Sequence, residues 1–393
     1  MSNFLKIFLL ILLLVLGLRF FNLFFLRNFS PSNTIMLVLS CFPFLLYLAT
    51  HKSYFYFQKE IKNIYVFCFI TMLVCWVSRG QSILESLPLY VEILSLGLYV
   101  LFLNIKVDLK VMDCILFVLC MIASVLYIVQ FYIYPYPLCL DPESINDYLS
   151  DTTNSRFRMT GQSLISLGLV MGYVKFLQKR QLHNFLLAVV SFYALFLMGF
   201  RSIAMLSVLF VAGGIFFTFK FNLRTILSVA LLCIVSFYFV QSDMFSTIFE
   251  HMKERNETEN FSNGSYIRVT QLRYWFTEHY QNILEVFFGS GFPNPTTDYG
   301  KYMQMLDNRG INYFDFGIFS FIFVIGVAPV FFMMKYCFKA LCAKVPHDYK
   351  YLGIWLVFLL SISFLSTEFF RQGCMTIQAY VLAMITIANK KNK

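Results

Sequence analysis

The residues best suited to chemistry in this sequence are arginines that interrupt or border long apolar runs. One of them, Arg201, lies within FLMGFRSIAML, in a stretch from 182 to 219 that is apolar at all but a few positions. An arginine near the middle of a membrane span costs roughly 2.5–3.5 kcal/mol on insertion scales. Arg201 therefore needs a structural partner, such as Glu85, Glu92 or Glu368, or a function, and the pattern favours a function.

The segment 265–280, SYIRVTQLRYWFTEHY, holds a second group of such residues. At 100° per residue it forms an amphipathic helix. One face carries Arg268, Leu272, Trp275 and His279, and the neighbouring face carries Arg273, Thr277 and Tyr280. The pattern is typical of an interfacial helix, with aromatic rings toward lipid and arginines toward headgroups. His279 is a candidate general base because imidazole titrates near neutral pH, although a histidine at an interface is more often only a polar boundary residue.

The chemistry that arginine favours is the binding of phosphate. Its planar guanidinium donates two parallel hydrogen bonds and never loses its charge. The short loops on one side of the expected membrane contain arginine but no lysine; these arginines are Arg27, Arg79, Arg156, Arg158, Arg201 and Arg371. This distribution indicates a phosphate or pyrophosphate ligand. For Arg27, Arg79 and Arg371 the more frequent role is to snorkel at the membrane edge.

The elements that must hold these residues follow from composition. Of 393 residues, 59% are hydrophobic and 13% are charged, and the mean hydropathy is +0.69, whereas soluble domains carry about 25% charged residues. Apolar runs of about 18 or more residues recur along the chain, and each can cross a bilayer as a helix. The sequence therefore predicts one all-α, polytopic membrane domain over residues 1–393.

Charge and cysteine content exclude other classes. The net charge of +10 comes largely from lysines in short gaps between apolar runs, which is the pattern of membrane anchoring and not of nucleic-acid binding. Most of the ten cysteines fall within or beside apolar runs, and no CxxC or Cys/His cluster occurs. We therefore expect no disulfide framework, no metal and no nucleic-acid partner.

The apolar runs predict about twelve spans. They lie at roughly 5–26, 34–50, 63–78, 88–104, 112–134, 161–178, 184–200, 202–219, 225–241, 313–334, 351–367 and 374–389. Lysine-bearing loops alternate with lysine-free ones, so the lysine side is cytoplasmic and both termini face the cytoplasm. This alternation requires a break at Arg201, which places that residue at the external rim. Two longer external loops remain, at 135–160 and 242–312, the second of which precedes the tenth span.

The external loop 242–312 also contains a turn-rich stretch, VFFGSGFPNPTTDYG. It is neither a nucleotide-binding loop nor a serine-hydrolase elbow, because Gly-Lys-Ser/Thr and Gly-x-Ser-x-Gly are both absent. Asp298, Asp307 and Asp315 flank this stretch and the entry to the next span. These carboxylates are suited to orienting hydroxyl groups or pairing with the arginines.

Three stretches together resemble the O-antigen polymerase (Wzy) family of bacterial inner membranes. They are GFRSIAML at the start of a span, RYWF followed by VFFGSGF in a long external loop, and NYFDFGIFSFIFVIGVAPV re-entering the membrane. The resemblance covers most of the chain in topology and about 100 residues in motif. It implies a GT-C-like fold in the bacterial inner membrane, with the active site facing the periplasm.

The resemblance implies a metal-independent glycosyltransferase without cofactors. It would move a growing glycan from undecaprenyl pyrophosphate onto the terminal sugar of another lipid-linked repeat unit. The expected partners are these lipid-linked donors and acceptors, membrane lipids, a chain-length regulator and a flippase. The matching arginines are Arg156 or Arg158 in the first loop and Arg268 and Arg273 in the second, with Arg201 at the rim.

The reaction also needs a group that accepts or orients the acceptor hydroxyl. His279, Glu278, Asp298 and Asp315 are the candidates, while preorganised arginines would stabilise the charge that grows on the leaving diphosphate. The nearest alternative is the related ligase that transfers O-antigen to lipid A core. A lipid-linked oligosaccharide flippase is a further alternative, although the predicted spans carry few of the ionisable groups that a transport cavity needs.

Overall fold

The protein is described by a computed structural model covering residues 2–50, 55–133, 136–139, 158–198, 201–218, 267–311, 316–364 and 366–391. All regular structure within these ranges is helical, and no strand occurs among them. The helices are α1 (Asn3–Gly17), α2 (Asn33–Thr50), α3 (Gln58–Arg79), α4 (Ile83–Ile105), α5 (Leu109–Tyr132), α6 (Ser163–Lys179), α7 (Leu182–Leu197), α8 (Arg201–Thr218), α9 (Ile267–Arg273), α10 (Ile283–Phe288), α11 (Asp298–Asp307), α12 (Ile318–Ile325), α13 (Val327–Leu341), α14 (Lys350–Ser363) and α15 (Cys374–Lys391).

Four of these helices, α2 to α5, are long and apolar enough to cross a membrane. Shorter apolar helices accompany them, among them α1 and α7. Their composition supports the expectation of an all-α membrane protein, because such helices are costly to expose to water. The predicted span at 225–241 lies outside the described residues, so the total of twelve spans stays a prediction.

Most predicted spans agree with the observed helices within a few residues, but the first one is shorter than expected. It was placed at 5–26, whereas α1 ends at Gly17. Gly17 packs so closely on the start of α15 that a Cβ atom there would lie 2.4 Å from the Thr376 methyl carbon. The chain then turns away through a left-handed segment, Arg19–Asn22. Tertiary packing, which hydropathy cannot register, therefore ends the helix early.

The tenth predicted span, 313–334, is divided into α12 and α13. Gly326 separates them with φ +81°, a conformation that favours glycine because other side chains clash there. A predicted break is also present near Arg201, since α7 ends at Leu197 and α8 begins at Arg201.

One end of the helix bundle, here called the lysine end, contains the lysine-bearing loops that the sequence assigned to one side of the membrane. Its ion pairs join Lys339 to Glu60, Lys175 to Asp113 and Lys179 to Asp348. The opposite end, here called the arginine end, carries Arg19 after α1, Arg79 at the end of α3 and Arg371 before α15. The separation of the two kinds of cation is incomplete, because Arg180 follows Lys179 at the lysine end and Lys301 lies on α11 at the arginine end. The side of the membrane that each end faces stays a prediction.

Two buried helices form the centre of the bundle at the arginine end. The first eleven residues of α6, 163–173, and nearly all described side chains of α15 are buried. Close packing needs small residues, as at Gly172, where a Cβ atom would lie 2.6 Å from the Ala188 nitrogen of α7. The loops that lead into α6 and α15 are therefore held on a rigid base.

Candidate functional site

Arg19 is positioned by an unusual turn at the arginine end. Residues Arg19, Phe20, Phe21 and Asn22 all have positive φ, between 47° and 56°. Left-handed backbone costs non-glycine residues roughly 1–2 kcal/mol each, so the surrounding structure must hold it. Phe21 is buried in the core, and the buried Asn22 side chain donates to Thr160 Oγ1 at 2.7 Å and to Gln372 Oε1 at 3.1 Å.

The turn directs Arg19 toward a carboxylate on α4. Its Nη2 donates to Asn33 Oδ1 at 2.8 Å and lies 3.4 Å from Glu92 Oε1. The other oxygen of Glu92 accepts the backbone N–H of Gly373 at 2.9 Å. The two charged groups are therefore tied to α2 and to the loop before α15.

That loop contributes a second arginine–carboxylate pair. Arg371 Nε donates to Glu368 Oε1 at 2.7 Å, and Gln162 Nε2 donates to the same oxygen at 3.1 Å. Gln372 adds a link, because its Oε1 accepts from Thr160 Oγ1 at 2.8 Å and its backbone oxygen accepts the N–H of Gly161. Residues from five separate segments thus form one connected polar cluster.

We call this cluster the Arg19 centre; its members are Arg19, Asn22, Asn33, Glu92, Thr160, Gln162, Glu368, Arg371 and Gln372. Part of it is accessible, since the side chains of Arg19 and Glu92 are 17% and 23% exposed. Arg158 lies two residues before Thr160 and is exposed. Guanidinium groups beside carboxylates can bind an anionic phosphate while a carboxylate accepts a hydroxyl proton.

A second polar cluster, the Arg79 centre, is closed to solvent. Arg79 makes a two-point ion pair with Glu285, at 2.6 Å from Nε and 2.7 Å from Nη2. Their side chains are only 4% and 0% exposed. Arg79 also donates to the backbone oxygen of His279 and lies over the Tyr299 ring at 4.9 Å. The expectation that Arg79 snorkels is wrong, and it is also wrong for Arg371, because both side chains are largely buried in ion pairs with carboxylates.

His279 belongs to the Arg79 centre through a hydrogen-bond network. Ser290 Oγ lies 2.8 Å from His279 Nε2, 3.0 Å from the Tyr299 hydroxyl and 3.2 Å from the Phe323 carbonyl. A serine hydroxyl has one proton, and the carbonyl can only accept. The Phe323 carbonyl also accepts the Ser290 N–H, so the Ser290 proton points either to Phe323, with His279 Nε2–H donating to Ser290, or to an unprotonated His279 Nε2. The tautomer of the imidazole decides between these two arrangements.

The environment also changes how His279 titrates. Burial and, to a smaller extent, the charge of Arg79 lower the pKa of His279 from 6.5 to about 3. The expectation that this imidazole titrates near neutral pH is therefore not met, because the charged form loses its hydration without gaining a carboxylate partner. A structural role as a neutral hydrogen-bond partner of Ser290 fits His279 better than a role as a general base.

The glycine-rich turn before Phe292 docks on the break between α12 and α13. Ser290 N–H donates to Phe323 O at 3.0 Å, and Gly291 N–H donates to Val324 O at 2.8 Å. A Cβ atom on Gly289 would lie 2.5 Å from Gly326 N. The two backbones thus approach in a way that only glycine permits at positions 289 and 326, whereas Gly291 packs against the Cys75 side chain.

Aromatic rings connect the two centres. Phe292 packs edge-on against Tyr90 with ring centroids 4.9 Å apart, and against Phe321 at 6.1 Å. Phe321 stacks on Phe370 at 3.5 Å, next to Arg371. The closed Arg79 centre therefore supports the wall on which the Arg19 centre is built.

Several predicted site residues lie outside both centres. Arg273 and Glu278 are exposed on α9 and on the π-helical turn Tyr274–Glu278 that follows it, and neither side chain forms an ion pair or hydrogen bond within the described residues. Asp298 is exposed at the start of α11 and pairs with Lys301 at 3.4 Å. Trp275 was expected to face lipid, but it is buried and stacks on Phe323.

Other predicted residues cannot be placed. Arg156 and Asp315 lie outside the described residues, as do the side chains of Arg201 and Arg268. The carboxylates proposed as partners for Arg201 have other contacts: Glu92 contacts Arg19, Glu368 contacts Arg371, and Glu85 caps the start of α4 by accepting from Ser82. The roles of these predicted residues therefore stay predictions.

Sequence reasoning missed Arg19, the residue around which the accessible cluster is built. It was assigned to the interior of the first span, 5–26, where an ionisable residue is itself a functional signal. The same rule drew attention to Arg201 and applies equally to Arg19. Glu92 was noted only as a partner for Arg201, because nothing local in the sequence pairs it with position 19.

The described residues contain no group of three or more His, Cys, Asp or Glu side chains that could hold a metal ion. The arrangement at the Arg19 centre depends instead on guanidinium, amide and carboxylate groups. Comparison with known proteins adds no functional assignment to this geometry. No protein-family model matches the chain, and no curated protein matches it.

Proposed function

We propose that the chain is a membrane glycosyltransferase of the O-antigen polymerase kind, which joins glycan repeat units carried on undecaprenyl pyrophosphate. The observation that carries this proposal is the accessible contact of Arg19 with Glu92, beside the Arg371–Glu368 pair, at one end of an apolar helix bundle. A lipid diphosphate reaches such a site from the bilayer, and its charged headgroup needs cationic donors at the bundle end.

In the proposed reaction the arginines and the carboxylate have different roles. The hydroxyl of the acceptor sugar attacks the anomeric carbon of the donor glycan, and the bond from that carbon to the diphosphate oxygen breaks. Undecaprenyl pyrophosphate leaves with the electron pair, and Arg19, Arg371 and Arg158 stabilise its growing charge. Glu92 accepts the hydroxyl proton, for which its partial exposure leaves access.

The distribution of cations supports an orientation for this reaction. Lysines pair with carboxylates at one end of the bundle, and the Arg19 centre occupies the other. Lysine-rich loops remain in the cytoplasm. We therefore assign the arginine end to the periplasm of a bacterial inner membrane, with twelve spans and both termini in the cytoplasm.

The Arg79 centre takes a supporting role in this proposal. It fastens the described part of the segment 267–311 to α3 and, through Phe292 and Phe321, to the wall of the Arg19 centre. Arg201, Arg268 and Arg273 remain candidates for contacts with the diphosphate or with the sugars. Glu278, Asp298 and Asp315 remain candidates for orienting the acceptor.

The test is deletion of the gene in the source bacterium, followed by electrophoresis of its lipopolysaccharide. A polymerase predicts that the ladder of long chains disappears and that one repeat unit remains on the core. A core without any repeat unit would instead assign the chain to the ligase reaction. An unchanged ladder, with the wild-type gene absent, would exclude both activities.

A further inference from the structure

A cavity of about 480 Å³ opens at the lysine end, away from both arginine centres. It lies between the start of α1, the connection from α4 to α5, and α15. Its lining residues are Asn3, Lys6, Ile7, Leu103, Lys106, Val107, Asp108, Val111 and Ile387. The volume falls within the range of about 300–1,000 Å³ that is usual for small-molecule sites.

The cavity is amphipathic, with an apolar wall and a cationic rim. Ile7, Leu103, Val107, Val111 and Ile387 supply the apolar wall. Lys6 and Lys106 stand at the rim, and within the described part of the chain neither ammonium lies within 4.0 Å of a carboxylate. Lys175, Lys179 and Lys339 at the same end have carboxylate partners, but among the described residues the exposed Lys59 and Lys344 lack one too. Lys6 and Lys106 are therefore distinguished by their place beside an apolar wall.

The position of Lys6 adds a second reason to expect an anion. It lies in the first turns of α1, a helix of 15 residues with no acidic residue in its first turn. Helix N-termini carry partial positive charge, so a lysine there is unfavourable without a nearby anion. Asp108 is the single acidic residue of the lining, and one carboxylate cannot balance two ammonium groups and a helix N-terminus.

We propose that this cavity binds one anionic phospholipid from the leaflet at the lysine end. The headgroup phosphate lies between Lys6 and Lys106, and one acyl chain packs along Ile7, Leu103 and Val111. Basic pockets between membrane helices are suited to such headgroups. The lipid would join α1 to the α4–α5 connection, and this site is independent of the proposed glycosyltransferase reaction.

The test is native mass spectrometry of the full-length protein, titrated with phosphatidylglycerol or phosphatidylcholine in detergent. We expect one phosphatidylglycerol to be retained preferentially by the wild type. Each lysine near an anionic lipid contributes about a fivefold change in affinity, so Lys6→Ala/Lys106→Ala should weaken phosphatidylglycerol binding by more than tenfold. Binding of phosphatidylcholine should change much less.

A matched control and a second variant separate the site from general surface charge. Lys59→Ala/Lys344→Ala removes two exposed lysines from the same end outside the cavity and should leave phosphatidylglycerol binding unchanged. Ile7→Trp keeps both lysines but fills the apolar part of the cavity, so it should also weaken phosphatidylglycerol binding. This variant tests the site even if the lysine variant folds poorly. The proposal is overturned if both cavity variants retain the lipid as the wild type does, or if the control loses it equally.

Discussion

Arg19 and Glu92 lie 73 positions apart in the sequence, yet Arg19 Nη2 approaches Glu92 Oε1 to 3.4 Å at the arginine end of the bundle. The contact depends on a left-handed turn after α1 and on the N–H of Gly373, which holds the second Glu92 oxygen. Strained backbone of this kind persists where the surrounding structure holds a functional group in place. The proposed reaction gives these two side chains different tasks, which substitutions can separate.

Replacement of Arg19 should reduce glycan polymerisation without removing the protein from the membrane. Loss of one preorganised donor to a developing negative charge lowers turnover on the order of 10²-fold. Arg19→Lys should retain part of the activity, because lysine keeps the charge but not the planar pair of donors. The measurement is chain length in a complemented deletion strain, with Arg309→Ala as a control that removes an exposed guanidinium elsewhere. Equal chain lengths in Arg19→Ala and Arg309→Ala would exclude the assigned role.

Replacement of Arg79 should act on folding first. Arg79→Ala leaves the fully buried Glu285 without its ion-pair partner, and breaking a buried pair in this way costs about 3–5 kcal/mol. Arg79→Met/Glu285→Met removes both charges and should recover much of that loss. Thermal melting in detergent checks both variants against Arg273→Ala, whose side chain is exposed. A melting temperature for Arg79→Ala equal to that of Arg273→Ala would contradict this account.

His279 should make stability depend on pH. The unfolded chain protonates this imidazole near pH 6.5, whereas the folded protein holds it neutral to about pH 3. The unfolded state therefore binds more protons than the folded state between these pH values. The contribution of His279 to the free energy of unfolding is complete above pH 6.5 and falls as the pH decreases toward 3. The expected slope is about 1.4 kcal/mol per pH unit.

The measurement for His279 is the melting temperature of wild type and His279→Gln between pH 7 and pH 4. Glutamine can still hydrogen-bond to Ser290 but does not titrate, so the slope of the variant reports all other groups. The wild type should lose stability more steeply than the variant as pH falls. Parallel slopes would show that His279 is not held neutral.

The close contact between the glycine-rich turn before Phe292 and the break between α12 and α13 predicts that Gly289→Ala destabilises the protein. Position 289 has φ +81°, and a Cβ atom there would lie 2.5 Å from Val324 O. With ψ 161° this backbone conformation is one that essentially only glycine adopts, so strain alone costs roughly 1–3 kcal/mol, and the backbone overlap adds to it. Gly213→Ala is the matched control, because nothing lies within 4 Å of its Cβ position and alanine favours a helix over glycine by about 1 kcal/mol. The two variants should shift the melting temperature in opposite directions.

Hydropathy was sufficient to locate most helices, and the alternation of lysine-bearing loops located the break near Arg201. Hydropathy could not end α1 at Gly17, because that end depends on the contact with Thr376 in the last helix. It also could not divide the tenth span at Gly326, whose conformation is set by the approach of Gly289. Both corrections come from tertiary contacts between distant segments.

The site was harder to predict than the fold. The sequence drew attention to arginines that border the spans on the side whose short loops lack lysine, and Arg158 and Arg371 are among them. The individual contacts could not be predicted, because Arg19 is joined to Glu92 and Asn22 to Gln372 by packing across the chain. Arg273 and Glu278 were equally strong candidates in the sequence, but both side chains are exposed and lie outside the two centres.

The most direct test of the proposed reaction is polymerisation by the purified protein. The substrate is the lipid-linked repeat unit that accumulates in the deletion strain, supplied to wild type, Arg19→Ala and Arg309→Ala in proteoliposomes. The account predicts a ladder of longer glycans, with release of undecaprenyl pyrophosphate, from wild type and Arg309→Ala and almost none from Arg19→Ala. No ladder from the wild type, or an equal ladder from Arg19→Ala, would contradict it.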